Sequence, residues 1–146
     1  MAYHTHTSLL FHYVFTTKNR IPSIPQELQA RLWAYRGGIA RANEMKALAV
    51  GGIADHSHIL LSLPPTITIA KAIQLVKAGS SLWMHEQTGS RRFEWQEGYG
   101  AFSVGASQVP ATIRYIENQL QRHRKISLNE EWELFLRRHA MFLDRA

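Results

Sequence analysis

Apolar residues along this chain change their period several times, and each change marks an element. Residues 8–17 (SLLFHYVFTT) are rich in β-branched and aromatic side chains and predict a strand inside a sheet, closed by Lys18, Asn19 and Arg20 and by Pro22 and Pro25. Over residues 25–43, Leu28, Leu32, Ala34 or Tyr35, and Ile39 recur at helical spacing; Pro25 suits the first turn, and Gly37-Gly38 is expected to weaken or kink the helix. Residues 45–54 and 57–63 read as two strands around a short turn centred on Asp55, a hairpin ended by Pro64-Pro65. Residues 67–88 carry Ile69, Ala72, Ile73, Val76 and Leu82 as the stripe of a second long helix, with Gly89 after its end. Residues 93–104 alternate aromatic and polar side chains around Gly98 and Gly100, the pattern of a broken or bulged strand. Ser107 is placed to cap a third helix, with Pro110 in its first turn and Ile113, Ile116 and Leu120 as its stripe to about His123. An amphipathic helix over residues 129–143 closes the chain.

The resulting order is strand, helix, strand, strand, helix, strand, helix. It predicts an α+β fold: a ferredoxin-like (RRM-like) antiparallel sheet with helices on one face, extended by the helix that holds Tyr115 and by the C-terminal helix. The 146 residues, 45% of them hydrophobic, suffice for one compact domain over 1–146 and not for two. There is no cysteine, which excludes disulfides, thiolate metal sites and cysteine nucleophiles. No run approaches the roughly 20 apolar residues of a membrane span, and the N-terminus lacks the order of a signal peptide, so a cytoplasmic, nucleoid-associated protein is expected. Seventeen Lys+Arg against eleven Asp+Glu give a net charge of +6, which suggests a polyanionic partner.

His56 and His58 stand two apart at the start of a predicted strand, whose period of two sends both imidazoles to one face. Imidazole suits several divalent metals, so the pair can supply half of a metal site. Tyr115 and Gln119 lie four apart on the third helix, on one face and about 40° out of line. That face is turned roughly 110° from the stripe of Ile113, Ile116 and Leu120, so Tyr115 is no obvious core residue of its own helix. A phenol, with a pKa of about 10, needs help to act as a nucleophile at neutral pH. A divalent metal held by two imidazoles and one amide oxygen keeps positions open for phosphate oxygens, and Gln119, one turn beyond Tyr115, can be its third ligand.

Three segments carry a resemblance to a known family. Residues 54–61 (ADHSHILL) and 114–119 (RYIENQ) resemble the His-hydrophobe-His strand and the Tyr-Ile-x-x-Gln helix of the single-tyrosine HUH transposases of small insertion sequences. Residues 95–104 (WQEGYGAFSV) resemble the strand before the catalytic helix in that family and in the REP-associated tyrosine transposases, and the first strand, ending Thr16-Thr17-Lys18, is also similar. The resemblance spans about residues 7–125. It implies an enzyme that cuts single-stranded DNA at hairpin-bearing element ends, forms a 5′-phosphotyrosine and rejoins the strand to a free 3′-hydroxyl. Carried over residue by residue, Tyr115 is the nucleophile, and His56, His58 and Gln119 bind a divalent ion, Mg2+ or Mn2+. A homodimer with shared active sites is implied as well, with Gly105-Ala106 as the hinge before the tyrosine helix. The chain departs from the family between its histidines, where Ser57 replaces a bulky apolar residue and is expected to face the core.

Candidate phosphate contacts are Lys18 and Arg20 after the first strand, Lys71 and Lys77 on the second helix, Arg91 and Arg92, and Arg122, Arg124 and Lys125 beyond Gln119. Of Trp95, Tyr99 and Phe102, at most one is expected to stack on a base. Two alternatives stay open at this stage. A ferredoxin-like nucleic-acid-binding module would bind without cutting, and a domesticated relative would keep recognition without transposition.

Overall fold

Alternation along β1 (Leu10–Thr16) sends its two faces to different partners. Tyr13 and Phe15 are buried on one side with Ile59, Leu61, Ala40, Ala72, Ile73 and Val76, while His12 and Val14 face the other way. The computed structural model describes residues 5–123 and 125–140. After β1 come α1 (Gln26–Ala42), β2 (Lys46–Ile53), β3 (His56–Ser62), α2 (Ile69–Thr88), β4 (Gly100–Ser103), α3 (Val109–Glu117), α4 (Gln119–Arg122) and α5 (Leu128–Ala140). The strands form one antiparallel sheet in the order β2-β3-β1-β4, the ferredoxin-like arrangement expected from the sequence. Helices α1 and α2 supply side chains to the Tyr13 face, whereas Ile116 of α3 packs on Ala49 and Leu60 on the opposite face. Among the described residues no helix is long and apolar enough to cross a membrane.

Under α1 and α2 lies a buried cation. Arg36 is fully enclosed, with its guanidinium 4.7–5.1 Å from the ring centroids of Phe15, Trp33 and Trp95 and its Nε donating to Ser80 Oγ at 3.1 Å. Burial pulls its pKa down to about 9, and the three aromatic faces offset part of the lost hydration.

Local expectations fail where tertiary contacts intervene. Helix α1 runs unbroken through Gly37-Gly38, because its buried side chains Leu32, Arg36 and Ala40 bracket the pair and anchor the helix on both sides. On α2, Leu82 points to solvent, and Ser80, Trp83 and Met84 join Ala72, Ile73 and Val76 as the buried face instead. The aromatic strand shrinks to β4. Gly98 turns the chain with φ 86°, and among the described residues the preceding stretch pairs with the sheet backbone through an isolated Thr17–Trp95 bridge. Ser107 does not cap α3; it lies in a short 3-10 turn over Ala106–Gln108, and Gln108 takes the cap position without a side-chain bond. The third helix also ends early, at Asn118 (φ −99°, ψ 22°), and resumes as α4. The C-terminal helix begins at Leu128, with Ser127 Oγ accepting from the Glu130 backbone N–H; residues 141–146 lie outside those described.

Gly51 sets the approach of α3. In the sheet it sits opposite His58, and a Cβ there would stand 2.2 Å from the Ile116 carbonyl oxygen. Backbone of α3 therefore rests directly on β2 beside the histidines. Gly51→Ala is expected to push α3 outward and to cost about 1–3 kcal/mol, read from urea unfolding. Gly105→Ala, where no atom lies within 4 Å of the added Cβ, serves as the control and should leave the curve in place.

Candidate active site

The register of β3 decides where its histidines look. His56 lies opposite Thr16 and His58 opposite Val14, so both imidazoles share the face that also carries His12 and α3; Ser57, opposite Phe15, is buried on the core side as expected. Each ring is held by its Nδ1. The Asp55 carboxylate lies 2.8 Å from His56 Nδ1, and His12 Nε2 lies 2.8 Å from His58 Nδ1. The bond to His56 lowers the Asp55 pKa, so this carboxylate is a pure acceptor and the His56 proton sits on Nδ1. Both Nε2 atoms are thereby aimed at the same space.

Two oxygens enter that space. Gln119, buried at the start of α4, brings Oε1 to 3.2 Å from His56 Nε2. Its amide nitrogen donates to the Tyr115 carbonyl at 3.2 Å, which fixes which end of the amide faces the histidines. The second oxygen was not foreseen from the sequence. Glu131 of α5, 1% exposed, places Oε1 2.9 Å from His58 Nε2 and 3.7 Å from His56 Nε2. Its other oxygen lies 3.1 Å from His123 Nε2 and 3.4 Å from Arg122 Nε. The available signal was the spacing of Leu128, Glu131 and Phe135, which puts a carboxylate in the apolar stripe of an amphipathic helix. His12 gave no such signal, because only the sheet register shows what it touches, and Asp55 was read from the sequence only as the centre of a turn.

Burial alone would raise the Glu131 pKa, but the hydrogen bond and charge of His58, together with Tyr115 and His123, outweigh it and hold the carboxylate at about 2. His58 is drawn down to about 4, mainly by burial and against the pull of Glu131, so at neutral pH it is an uncharged imidazole, the form that binds metals. A divalent cation fits this donor set. His56 Nε2 and the Gln119 and Glu131 oxygens converge as lone-pair atoms, the kind of donors that a shared cation would take. The His56–Gln119, His56–Glu131 and His58–Glu131 separations of 3.2, 3.7 and 2.9 Å suit ligands held at about 2.1 Å around one ion. His56, His58 and Glu131 form a buried group able to hold such an ion.

Tyr115 stands beside this cluster. Its ring is 5.5 Å from that of His58, 5.8 Å from His12 and 5.6 Å from Phe135, with the Arg122 guanidinium 4.7 Å from its centroid. The hydroxyl is buried and meets no well-aligned partner. Burial first, and then the Glu131 carboxylate, push the phenol pKa well above its ordinary value, with Arg122 and Gln119 opposing only in part.

Tyr115, His56, His58 and Gln119 thus meet within one chain, and Arg122 joins them. The other proposed DNA contacts lie apart. Lys18 pairs with Glu94 at 3.1 Å, Arg20 bonds to Asn129, and Lys71, Arg91 and Arg92 are exposed. Lys77 donates to the carbonyls of Gln96 and Gly98 at 2.9 and 2.6 Å, tying down the loop before β4. Lys125 is exposed, and Arg124 lies outside the described residues. Trp95 is packed against Phe15 and Phe93, and Phe102 is stacked on Phe135, whereas Tyr99 is 41% exposed.

Comparison with known proteins agrees with this geometry. Residues 5–119 match the family model described as "Transposase IS200 like". The transposases for insertion sequence element IS200 of Salmonella typhimurium and Salmonella typhi are each 28% identical to this chain over 127 residues, covering 83% of this chain and 83% of the relative. Among solved structures, a Deinococcus radiodurans protein described as a candidate transposase superposes with a TM-score of 0.63 at 23% identity, covering 80% of this chain and 94% of that one. A REP-associated tyrosine transposase bound to a REP hairpin gives a TM-score of 0.58 at 13% identity, covering 86% and 76%. These two likenesses support the fold.

The buried cluster makes stability acid-sensitive. His58 falls from 6.5 to about 4 on folding and Glu131 from 4.5 to about 2, so the unfolded chain binds more protons across both windows. Stability from these groups is fully present above pH 6.5, and it declines first as pH falls toward 4 and further as it falls from 4.5 toward 2. Thermal midpoints measured in chelator should fall steadily on acidification, and Glu131→Gln should flatten the lower part of that decline. A midpoint that rises below pH 6 would contradict the assignment.

Proposed function

Because the chain belongs to the IS200-like transposase family, we propose that it cuts and rejoins single-stranded DNA with Tyr115 as the nucleophile. It is a single-tyrosine HUH transposase, and the reading of its parts rests on one observation: a single chain sets the Tyr115 ring 5.5 Å from His58 and the Gln119 oxygen 3.2 Å from His56 Nε2. In this reading Tyr115 Oη attacks the scissile phosphorus, the bond to the 3′ oxygen breaks, and a 5′-phosphotyrosine forms. The phenol proton passes to solvent, and the departing oxygen takes up a proton to become a 3′-hydroxyl. Rejoining is the reverse attack by a 3′-hydroxyl, so bond energy is retained and no external energy source is needed.

His56, His58 and Gln119 would hold the divalent ion that the family implies, with Glu131 as an additional oxygen donor. When bound, the ion supplies Lewis-acid polarisation of the scissile phosphate. Mixed nitrogen and oxygen donors accept either Mg2+ or Mn2+. Arg122, already over the tyrosine ring, is placed to pair with the phosphate once Glu131 releases it.

With α5 docked, the Tyr115 hydroxyl is buried close to Phe135 and Glu131. Cleavage in this reading therefore needs α5 to lift. Its departure would remove the carboxylate and the dry surroundings that raise the phenol pKa, so opening would also activate the nucleophile. Lys18 and Lys77 line a groove of about 720 Å³ beside α2 with Trp95 and Tyr99, which supports them among the proposed phosphate contacts. The substrate is proposed to be single-stranded DNA with hairpin ends. The working assembly is proposed to be a homodimer, for which the exposed Leu120, Leu134 and Leu136 offer apolar surface.

Incubated with single-stranded DNA carrying its element end and Mn2+, the protein should form an adduct that survives denaturing electrophoresis, and Tyr115→Phe should form none. Cleavage by the variant would assign the nucleophile elsewhere. Phe135→Ala, which strips one ring from beside Tyr115, should speed adduct formation several-fold in single-turnover assays; an unchanged rate would mean that α5 does not gate the tyrosine.

A further inference from the structure

The two ligand histidines are oriented by chemically different partners. Asp55 can only accept, so His56 keeps its proton on Nδ1 and its Nε2 lone pair always faces the cluster. His58 is not held in this way. Its Nδ1 meets His12 Nε2 at 2.8 Å, and an imidazole nitrogen can donate or accept. Without a cation, the 2.9 Å contact from His58 Nε2 to the ionised Glu131 requires a proton on Nε2, so Nδ1 must accept from His12. As a metal ligand, His58 needs the reverse: a bare Nε2, with the proton on Nδ1 donated to His12.

We propose that His12 is a positioning residue of the active site: by accepting the Nδ1 proton of His58 it selects the tautomer that presents His58 Nε2 to the cation. The inference rests on the metal-site reading above. His12 is placed for this by the sheet. It lies on β1 two residues from Val14, which pairs with His58, so it is the diagonal neighbour of His58 on the same face. It is 4% exposed, its ring lies 5.1 Å from that of His58, and the imidazoles of His12 and His58 both border Tyr115. The exchange is charge-neutral. The proton leaving His58 Nε2 is matched by one gained at Nδ1, while His12 moves its own from Nε2 to Nδ1. A carboxylate in place of His12 could not donate, and would leave His58 no acceptor state for the cation-free arrangement.

The test is Mn2+ affinity of the full chain, measured by electron paramagnetic resonance of the free ion, with no DNA present. His12→Leu, which fills the space without an acceptor, should weaken Mn2+ binding by about 10–100-fold. His12→Gln, whose amide oxygen can accept from His58 Nδ1, should recover most of that loss. Equal affinity in His12→Leu and the unaltered protein would overturn the proposal while leaving the metal site intact. Failure of the unaltered protein to bind Mn2+, or binding indifferent to His56→Ala, would overturn the metal-site reading together with it. Should His12→Leu not fold, nitrogen-15 shifts of the His58 ring in the unaltered protein decide instead. Titration with Zn2+, a diamagnetic probe, should move the His58 proton from Nε2 to Nδ1, and a proton that stays on Nε2 would refute the assignment.

Discussion

The close crossing of α3 over β2 governs the rest of this structure. Because residue 51 has no side chain, the Ile116 carbonyl sits where a Cβ would otherwise be, and α3 lies against the sheet rather than a layer above it. Tyr115, the residue before Ile116, is thereby brought to the histidines of β3. Ending α3 at Asn118 has a matching effect, since restarting the helix as α4 turns Gln119 inward and lets its amide bridge the Tyr115 carbonyl and His56. Geometry that is spread over 63 residues of chain, from His56 to Gln119, is set by one contact of backbone with backbone.

Electrostatics at the site follow from burial. Two imidazoles, an amide and a carboxylate lie at or below 1% exposure, where an unpaired charge is costly and each group must answer another. Glu131 stays ionised because His58 and its neighbours compensate it, and His58 stays neutral because burial disfavours a second proton. The pair is therefore poised to hold a cation. Burial first, and then the same carboxylate, raise the pKa of Tyr115.

That helix belongs to a segment outside the stretch matched by the family model, which ends at residue 119. Its contacts are nonetheless with the centre of the site: Glu131 with the histidines, Phe135 with His12 and Tyr115, and Trp132 beside Phe102. Aromatic contacts, the Glu131 contacts with His58, His123 and Arg122, and the Arg20–Asn129 bond hold it, and Leu134 and Leu136 remain exposed on it. Helices α1 and α2, by contrast, build the main core with their side chains.

By itself the sequence determined the elements whose signals are local. Strand alternation gave the sheet, the order of elements gave the ferredoxin-like topology, and a period of two put His56 and His58 on one face. Resemblance of short motifs located Tyr115 and Gln119. Tertiary structure alone decided the rest, because the deciding contacts join residues far apart in the chain. The continuity of α1 through two glycines, the exposure of Leu82 and the loss of most of the aromatic strand were settled by packing that local propensity does not encode. His12 and Glu131 lie 46 and 73 residues from His58, and no spacing rule reaches so far. Glu131 does interrupt the apolar stripe of α5, but nothing in its spacing names His58 as its partner.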